Sequence, residues 1–190
     1  KEKIRWYSEI ELITNRRINE TTKKDHDINS LCIIGTAFAN VEILEANGKT
    51  FDVVAGYSVG QIAAIALAGV ITKHDALKIV YERSRLMIKN TSLNMKMISI
   101  IGIPLDILSG IISDIKKTIN ETDNYFIDIS NYNSLGNYTV AGHSDLLQQL
   151  KNKLEQSSVK KIVDVPVFGA WHTRMLTNAI ESYNSLLNTF

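Results

Sequence analysis

The most constraining feature of this chain is a change of texture around one serine. The β-prone run FDVVAG (51–56) meets the turn Gly56-Tyr57-Ser58-Val59-Gly60, and the alanine-rich apolar stretch QIAAIALAGV (61–70) follows at once. The first run reads as a strand buried on both faces and the last as a buried helix. Glycines on either side of the serine permit a tight strand-to-helix turn that pushes Ser58 into a strained, exposed position, the Gly-x-Ser-x-Gly nucleophile elbow. The helix that begins there also presents the Val59 backbone N–H and a favourable dipole to a developing oxyanion.

A serine hydroxyl needs a base, and the chain has four histidines. His26 and His74 lie in polar segments and read as solvated. His143, in VAGHSD, belongs at a turn before a helix. His172 follows an expected strand and precedes an expected helix, so it shares with Ser58 the strand-end setting where open α/β sheets gather their sites. It is the favoured base.

Elsewhere, Leu31, Ile34, Phe38, Val41 and Leu44 recur at helical spacing over 29–47, and residues 1–27 read as a helix followed by a loop around NETTKKDHD (19–27). Thr72 with Asp75 forms a capping box that opens a helix to about residue 90. On that helix Ala76, Val80, Arg83 and Met87 share one stripe, whereas Lys78, Glu82, Arg85 and Lys89 share another. Arg83 therefore points with the apolar residues and needs an anionic or hydrogen-bonding partner. From 95 to 167 the order reads strand (MKMISIIG), helix (PLDILSGIISDIKK), strand (NYFIDISNYN), strand (NYTVAGH), helix (SDLLQQLKNKLEQ), strand (KKIVDVPV), a split β-α-β series. A loop, FGAWHTRM, leads to a final amphipathic helix.

Composition bounds the rest. A chain of 190 residues suits one core, or one core with a small inserted subdomain. A net charge of +1 gives no broad field for nucleic acid or anionic lipid, and no apolar run reaches membrane-spanning length, so neither partner is expected. The single cysteine, Cys32, excludes an internal disulfide framework and a multi-cysteine metal site, and no metal is expected. The first residues lack the pattern of a secretory signal and do not begin with Met, so a fragment, a processed chain or a trimmed one is expected, in bacterial cytoplasm or an organelle.

Three stretches, VVAGYSVGQIAAIALAGVITKHDALKIVYERSRLM, ISNYNSLGNYTVAG and VPVFGAWHTRM, resemble the malonyl-CoA:acyl carrier protein transacylases and the acyltransferase domains of fatty acid and polyketide synthases, in the family's order and spacing. The resemblance implies an α/β fold: an α/β-hydrolase-like core with a parallel sheet (1–94 and 168–190) and an inserted ferredoxin-like subdomain (95–167). It makes Ser58 the acylated nucleophile, His172 its base and Arg83 the holder of the malonyl carboxylate. Gln61 and Trp171 join the substrate site; Trp171 stands where many relatives carry phenylalanine, a position tied to acyl-group size. No cofactor is implied, because the coenzyme A thioester is the substrate and phosphopantetheine is carried by the partner. That partner is an acyl carrier protein, an acidic domain for which Lys89, Lys96, Lys160, Lys161 and Arg174 could form a basic patch.

The sequence departs from the family in places. No Gly-Gln-Gly-Ser loop precedes Ser58, the stretch after the histidine helix that orients the imidazole has no counterpart, Tyr57 replaces a histidine and Gln61 a common glutamate. Four readings therefore remain: a malonyl transferase, a serine acyl hydrolase or thioesterase, the transacylase subunit of malonate decarboxylase, and a carrier-protein docking module that does no chemistry.

Overall fold

The computed structural model describes residues 2–22, 25–155 and 157–190, with backbone alone for 2–4. Lys1 of the expected first helix, Lys23 and Lys24 of the expected loop, and Gln156 of the expected helix 144–156 lie outside the described residues. The chain has an α/β fold and divides into two compact units, Lys1–Leu86 with Glu181–Phe190, and Met87–Ile180.

The first unit is helical. Helix α1 (Glu2–Thr14) leads through a 3-10 turn (Ile18–Glu20) to α2 (His26–Ala46), α3 (Gly60–Leu67) and α4 (Lys73–Lys89), the last running on into the second unit. Trp6 and Ile10 of α1, Ile28, Leu31, Ile34 and Phe38 of α2, Ile62 and Ala66 of α3, and Leu77 and Val80 of α4 close one core. Fully burying a side chain of the larger kind contributes about 1.5 to 3 kcal/mol. The α2 stripe leaves the core early: Val41 is half-buried and Leu44 exposed, because Glu42 ends the buried face. The Glu42 carboxylate accepts from Lys73 Nζ (2.9 Å), Arg5 Nη2 (2.6 Å) and Trp6 Nε1 (3.1 Å), tying three helices together. At the start of α4 half of the capping box forms, because the Asp75 N–H donates to Thr72 Oγ1 at 3.0 Å, while the Thr72 hydroxyl, rather than its backbone N–H, donates to Asp75 Oδ2 at 2.6 Å.

One expectation fails here. FDVVAG is not a strand; residues 51–56 are extended or bent without ladder bonds, and Val53 is 84% exposed. A strand exists only where a neighbour completes its hydrogen bonds. Among the described residues of this unit no other strand offers one.

The second unit carries the only sheet among the described residues, and it is antiparallel throughout. Its elements follow the order β1 (Met95–Ile101), α5 (Leu105–Lys116), β2 (Ile127–Ser134), β3 (Asn137–His143), α6 (Ser144–Leu154) and β4 (Lys161–Asp164). The sheet order is β2-β3-β1-β4. Alternation along the strands sorts the side chains into two faces. Ile98 and Ile100 of β1, opposite Val140 and Tyr138 of β3, meet Leu108, Ile112 and Ile115 of α5 and Leu146, Leu150 and Leu154 of α6. Met95, Met97 and Ala141 point the other way and are covered by the unit's own loop through Ala170, Trp171 and Met175. Register shifts between Ile129 and Asn131 and between Tyr132 and Ser134 bend β2. After the loop the chain forms a 3-10 helix (Arg174–Ala179) and then α7 (Ile180–Leu187), where sequence periodicity suggests one continuous helix.

His143 is the N-cap of α6. Its Nδ1 accepts from the Asp145 N–H at 3.3 Å, and its ring lies 4.8 Å from that of Tyr125. That is a structural use of the histidine, consistent with its place at a turn.

Candidate active site

Ser58 sits at the tip of a very tight turn. Three successive bonds, Gly60 N to Tyr57 O (2.9 Å), Gln61 N to Ser58 O (3.1 Å) and Ile62 N to Val59 O (3.2 Å), wind the chain directly into α3. Gly56 is required: a Cβ there would stand 2.0 Å from the Gly60 carbonyl oxygen. Ser58 itself takes φ 50°, a left-handed backbone that costs a non-glycine residue about 1 to 2 kcal/mol. Strain of this kind survives only where the surrounding structure enforces it, and it gathers at functional sites. Ser58 is half-buried, Tyr57 is exposed, Val59 is the N-cap of α3, and Gln61 stands exposed on its first turn.

Arg83 lies in the same unit on α4. It follows the buried Ala76 and Val80, and its guanidinium is half-buried. Burial pushes its pKa down, partly countered by the nearby Tyr183 hydroxyl. Among the described residues no carboxylate pairs with it. Arg85 differs: it is exposed, bonded to Glu82 Oε1 at 3.1 Å, and stacked 5.5 Å over the Tyr81 ring. Tyr183 was visible in the sequence only as one apolar position of the last helix; burial raises its pKa, and Arg83 lowers it.

In the second unit His172 is exposed, in the loop that leaves β4, with φ 60°. The loop is shaped by Gly169, φ 143°, where a Cβ would fall 2.6 Å from the Trp171 ring. Trp171 is 9% exposed and packs with Met95, Met97 and Phe126 rather than standing open to solvent. Thr173 Oγ1 donates to the Ala170 carbonyl at 2.5 Å, closing the turn around His172. His172, Thr173 and Arg174 line a cleft of about 520 Å³ whose other wall is built from α5 and β2, including Ser109, Ser113 and Tyr132.

Arg174 is not a free cation: it bonds to Asp128 and Glu121, two acids with no sequence motif to announce them. Lys89, Lys96, Lys160 and Lys161 are exposed, and none has a carboxylate partner among the described residues. Also among the described residues, no three His, Cys, Asp or Glu side chains are grouped to hold a metal ion.

The strained serine at the glycine elbow and the desolvated arginine on α4 thus belong to one unit. A profile of the acyl transferase domain matches residues 10–189, and the chain belongs to that family. Over 140 residues, 73% of the chain, it is 27% identical to the malonyl CoA-acyl carrier protein transacylase of Staphylococcus aureus strain COL, of which the match spans 44%. The crystal structure of malonyl CoA-acyl carrier protein transacylase from Clostridium perfringens superimposes with a TM-score of 0.82 at 19% identity, covering 100% of this chain and 60% of that one. A type II polyketide synthase acyl carrier protein in complex with its malonyl transacylase, PlMCAT:AntF, contains a chain matched at a TM-score of 0.86 and 17% identity, over 99% of this chain and 62% of that one. The chain thus spans less than half the length of the curated relative and about three fifths of the solved ones.

Proposed function

We propose that this chain carries the reacting residues of an acyltransferase that moves a malonyl-type group from coenzyme A to an acyl carrier protein through an ester on Ser58. The observation that carries the reading is the left-handed backbone at Ser58, inside a turn that tolerates no side chain at position 56. Such a turn presents a hydroxyl at a helix N-terminus, where the Val59 N–H and the helix dipole meet a developing negative charge.

In this scheme His172 takes the proton from Ser58 Oγ as the oxygen attacks the thioester carbonyl. The carbon–sulfur bond breaks, and His172 passes that proton to the departing coenzyme A sulfur, which leaves as the thiol and returns the imidazole to its neutral form. The phosphopantetheine thiol of the carrier then gives its proton to His172 and attacks the ester; Ser58 leaves and recovers that proton. Arg83 binds the free carboxylate of the malonyl group in a planar pair that lysine cannot reproduce. Gln61 on the first turn of α3 lies beside the acyl group, and Trp171, held by its packing, limits the room for branched acyl groups. No cofactor takes part.

The finer architecture belongs to the same reading. The helical unit is taken as part of an α/β-hydrolase-like core with a parallel sheet (1–94 and 168–190). The β-α-β-β-α-β portion (95–167) is taken as an inserted ferredoxin-like subdomain. The bare FDVVA segment favours one second reading, a carrier-protein docking module that does no chemistry.

Incubation with malonyl-CoA followed by intact-mass measurement separates the two. The enzyme gains one malonyl adduct that Ser58→Ala lacks, and it passes the group to holo acyl carrier protein. No adduct on the wild-type protein sinks the enzymatic reading; an adduct released as free malonate marks a hydrolase instead.

A further inference from the structure

We infer that Arg174 is a positioning residue for His172, acting through Asp128 and Glu121; the inference rests on the reading of His172 as the base. Arg174 lies two residues beyond His172 and reaches across to the strand β2 and the segment before it. Its Nε donates to Asp128 Oδ2 at 3.1 Å and its Nη2 to Asp128 Oδ1 at 3.2 Å, a two-pronged pair, while Nη1 donates to Glu121 Oε2 at 3.2 Å. Its guanidinium lies 5.2 Å over the Phe126 ring. Lys116 Nζ completes the group, 2.5 Å from Asp128 Oδ1 and 3.4 Å from Glu121 Oε1. Two cations thus face two carboxylates, and the charge is used up locally. A residue spent in this way is poorly suited to attract an acidic partner but well suited to hold a loop.

The anchor is firm because Asp128 sits inside the ladder, opposite Ala141 of β3. On the other side of His172, Trp171 is fixed in the apolar cluster that Met175, just beyond Arg174, also joins. His172 lies between these two fastenings, exposed and in a left-handed backbone, so its own burial does not hold it. Forked arginine–carboxylate pairs fix geometry as well as adding energy, and small displacements of a reacting group are expensive in rate. Releasing the Arg174 fastening lets the turn relax and moves the imidazole away from its working position.

The test uses the protein in its encoded form, labelled on histidine rings for nuclear magnetic resonance, with the His172 signal assigned by its loss in His172→Ala. Arg174→Met keeps the stem over Phe126 and removes the fork. It should lower kcat for malonyl transfer by about ten- to hundred-fold with KM changed less than about two-fold, and it should shift or broaden the His172 signal. Arg174→Lys should recover only part of the rate, and Asp128→Asn should move both readouts in the same direction as Arg174→Met. Unchanged kcat with an unchanged His172 signal overturns the inference, as does a fall in rate while the signal stays in place. Should Arg174→Met fail to fold, Glu121→Gln, which removes a single prong, is judged by the same two readouts. If His172→Ala itself retains transfer, the role of His172 as base fails; the positioning by Arg174 is then decided by the ring signal alone.

Discussion

Replacing Arg83 with methionine separates two opposed effects of one guanidinium. In the free protein its burial is unfavourable, as the lowered pKa indicates, and Tyr183 offsets this only in part. A buried cation without an acid is a net loss, so an apolar side chain of similar length should raise stability by about 1 kcal/mol. For a domain of this size that is about 2 to 4 °C in Tm. When a malonyl carboxylate is bound, the same guanidinium supplies a charged hydrogen-bonded pair worth about 1.5 to 3 kcal/mol. Its loss should slow loading from malonyl-CoA by roughly ten- to hundred-fold relative to loading from acetyl-CoA. Thermal melts of the two proteins, with time courses of Ser58 loading by intact mass for both thioesters, measure the two effects separately. Equal losses for malonyl and acetyl would falsify the clamp. A lower Tm in Arg83→Met would show that the guanidinium already has a stabilising partner in the free protein.

Two other substitutions test the frame around the site. Ser58→Gly suits φ 50° and should keep or raise stability by up to about 1 kcal/mol in urea melts while abolishing the acyl adduct; a clear loss of stability would mean that the backbone there is not strained. Glu42→Gln tests the helical core. Burial pushes the Glu42 carboxyl up, but bonds from Lys73 and Trp6 bring it net below the ordinary range. Because its folded pKa is the lower one, its contribution is present above the usual glutamate pKa of about 4.3 and is lost as pH falls through the folded value. Urea melts should therefore show a wild-type advantage over Glu42→Gln at pH 7 that shrinks below about pH 4; a gap that stays constant down to pH 3 would contradict this.

Much of the second unit could be read from the sequence because its signals are local. NYTVAGH alternates cleanly, and the strand β3 covers those same residues, Asn137–His143. Thr72 and Asp75 announce the start of α4 by a bond between near neighbours. FDVVAG carries an equally strong β pattern, yet a strand is a property of two segments, and only one is present in that unit among the described residues. Within the candidate site, the serine elbow was legible because its glycines are adjacent in sequence. Arg83 was legible in direction, from the helical stripe, but its neighbour Tyr183 lies a hundred residues away and carried no mark beyond an apolar spacing. The resemblance alone marked Trp171, and nothing local in the sequence announced the packing of its ring with Met95, Met97 and Phe126. The acids around Arg174 were hidden for the same reason: salt bridges across long separations leave no periodicity behind.

The sheet of the second unit also governs how that part of the chain behaves in company. An open sheet ends in two unsatisfied rims, and such rims recruit foreign strands. Here one rim is β2, kinked by its two register shifts, and the other is β4, only four residues long and opened by the exposed Lys161. A twisted rim and a short, charged one both make poor templates for stacking, so this unit resists fibre formation without needing a cap of its own.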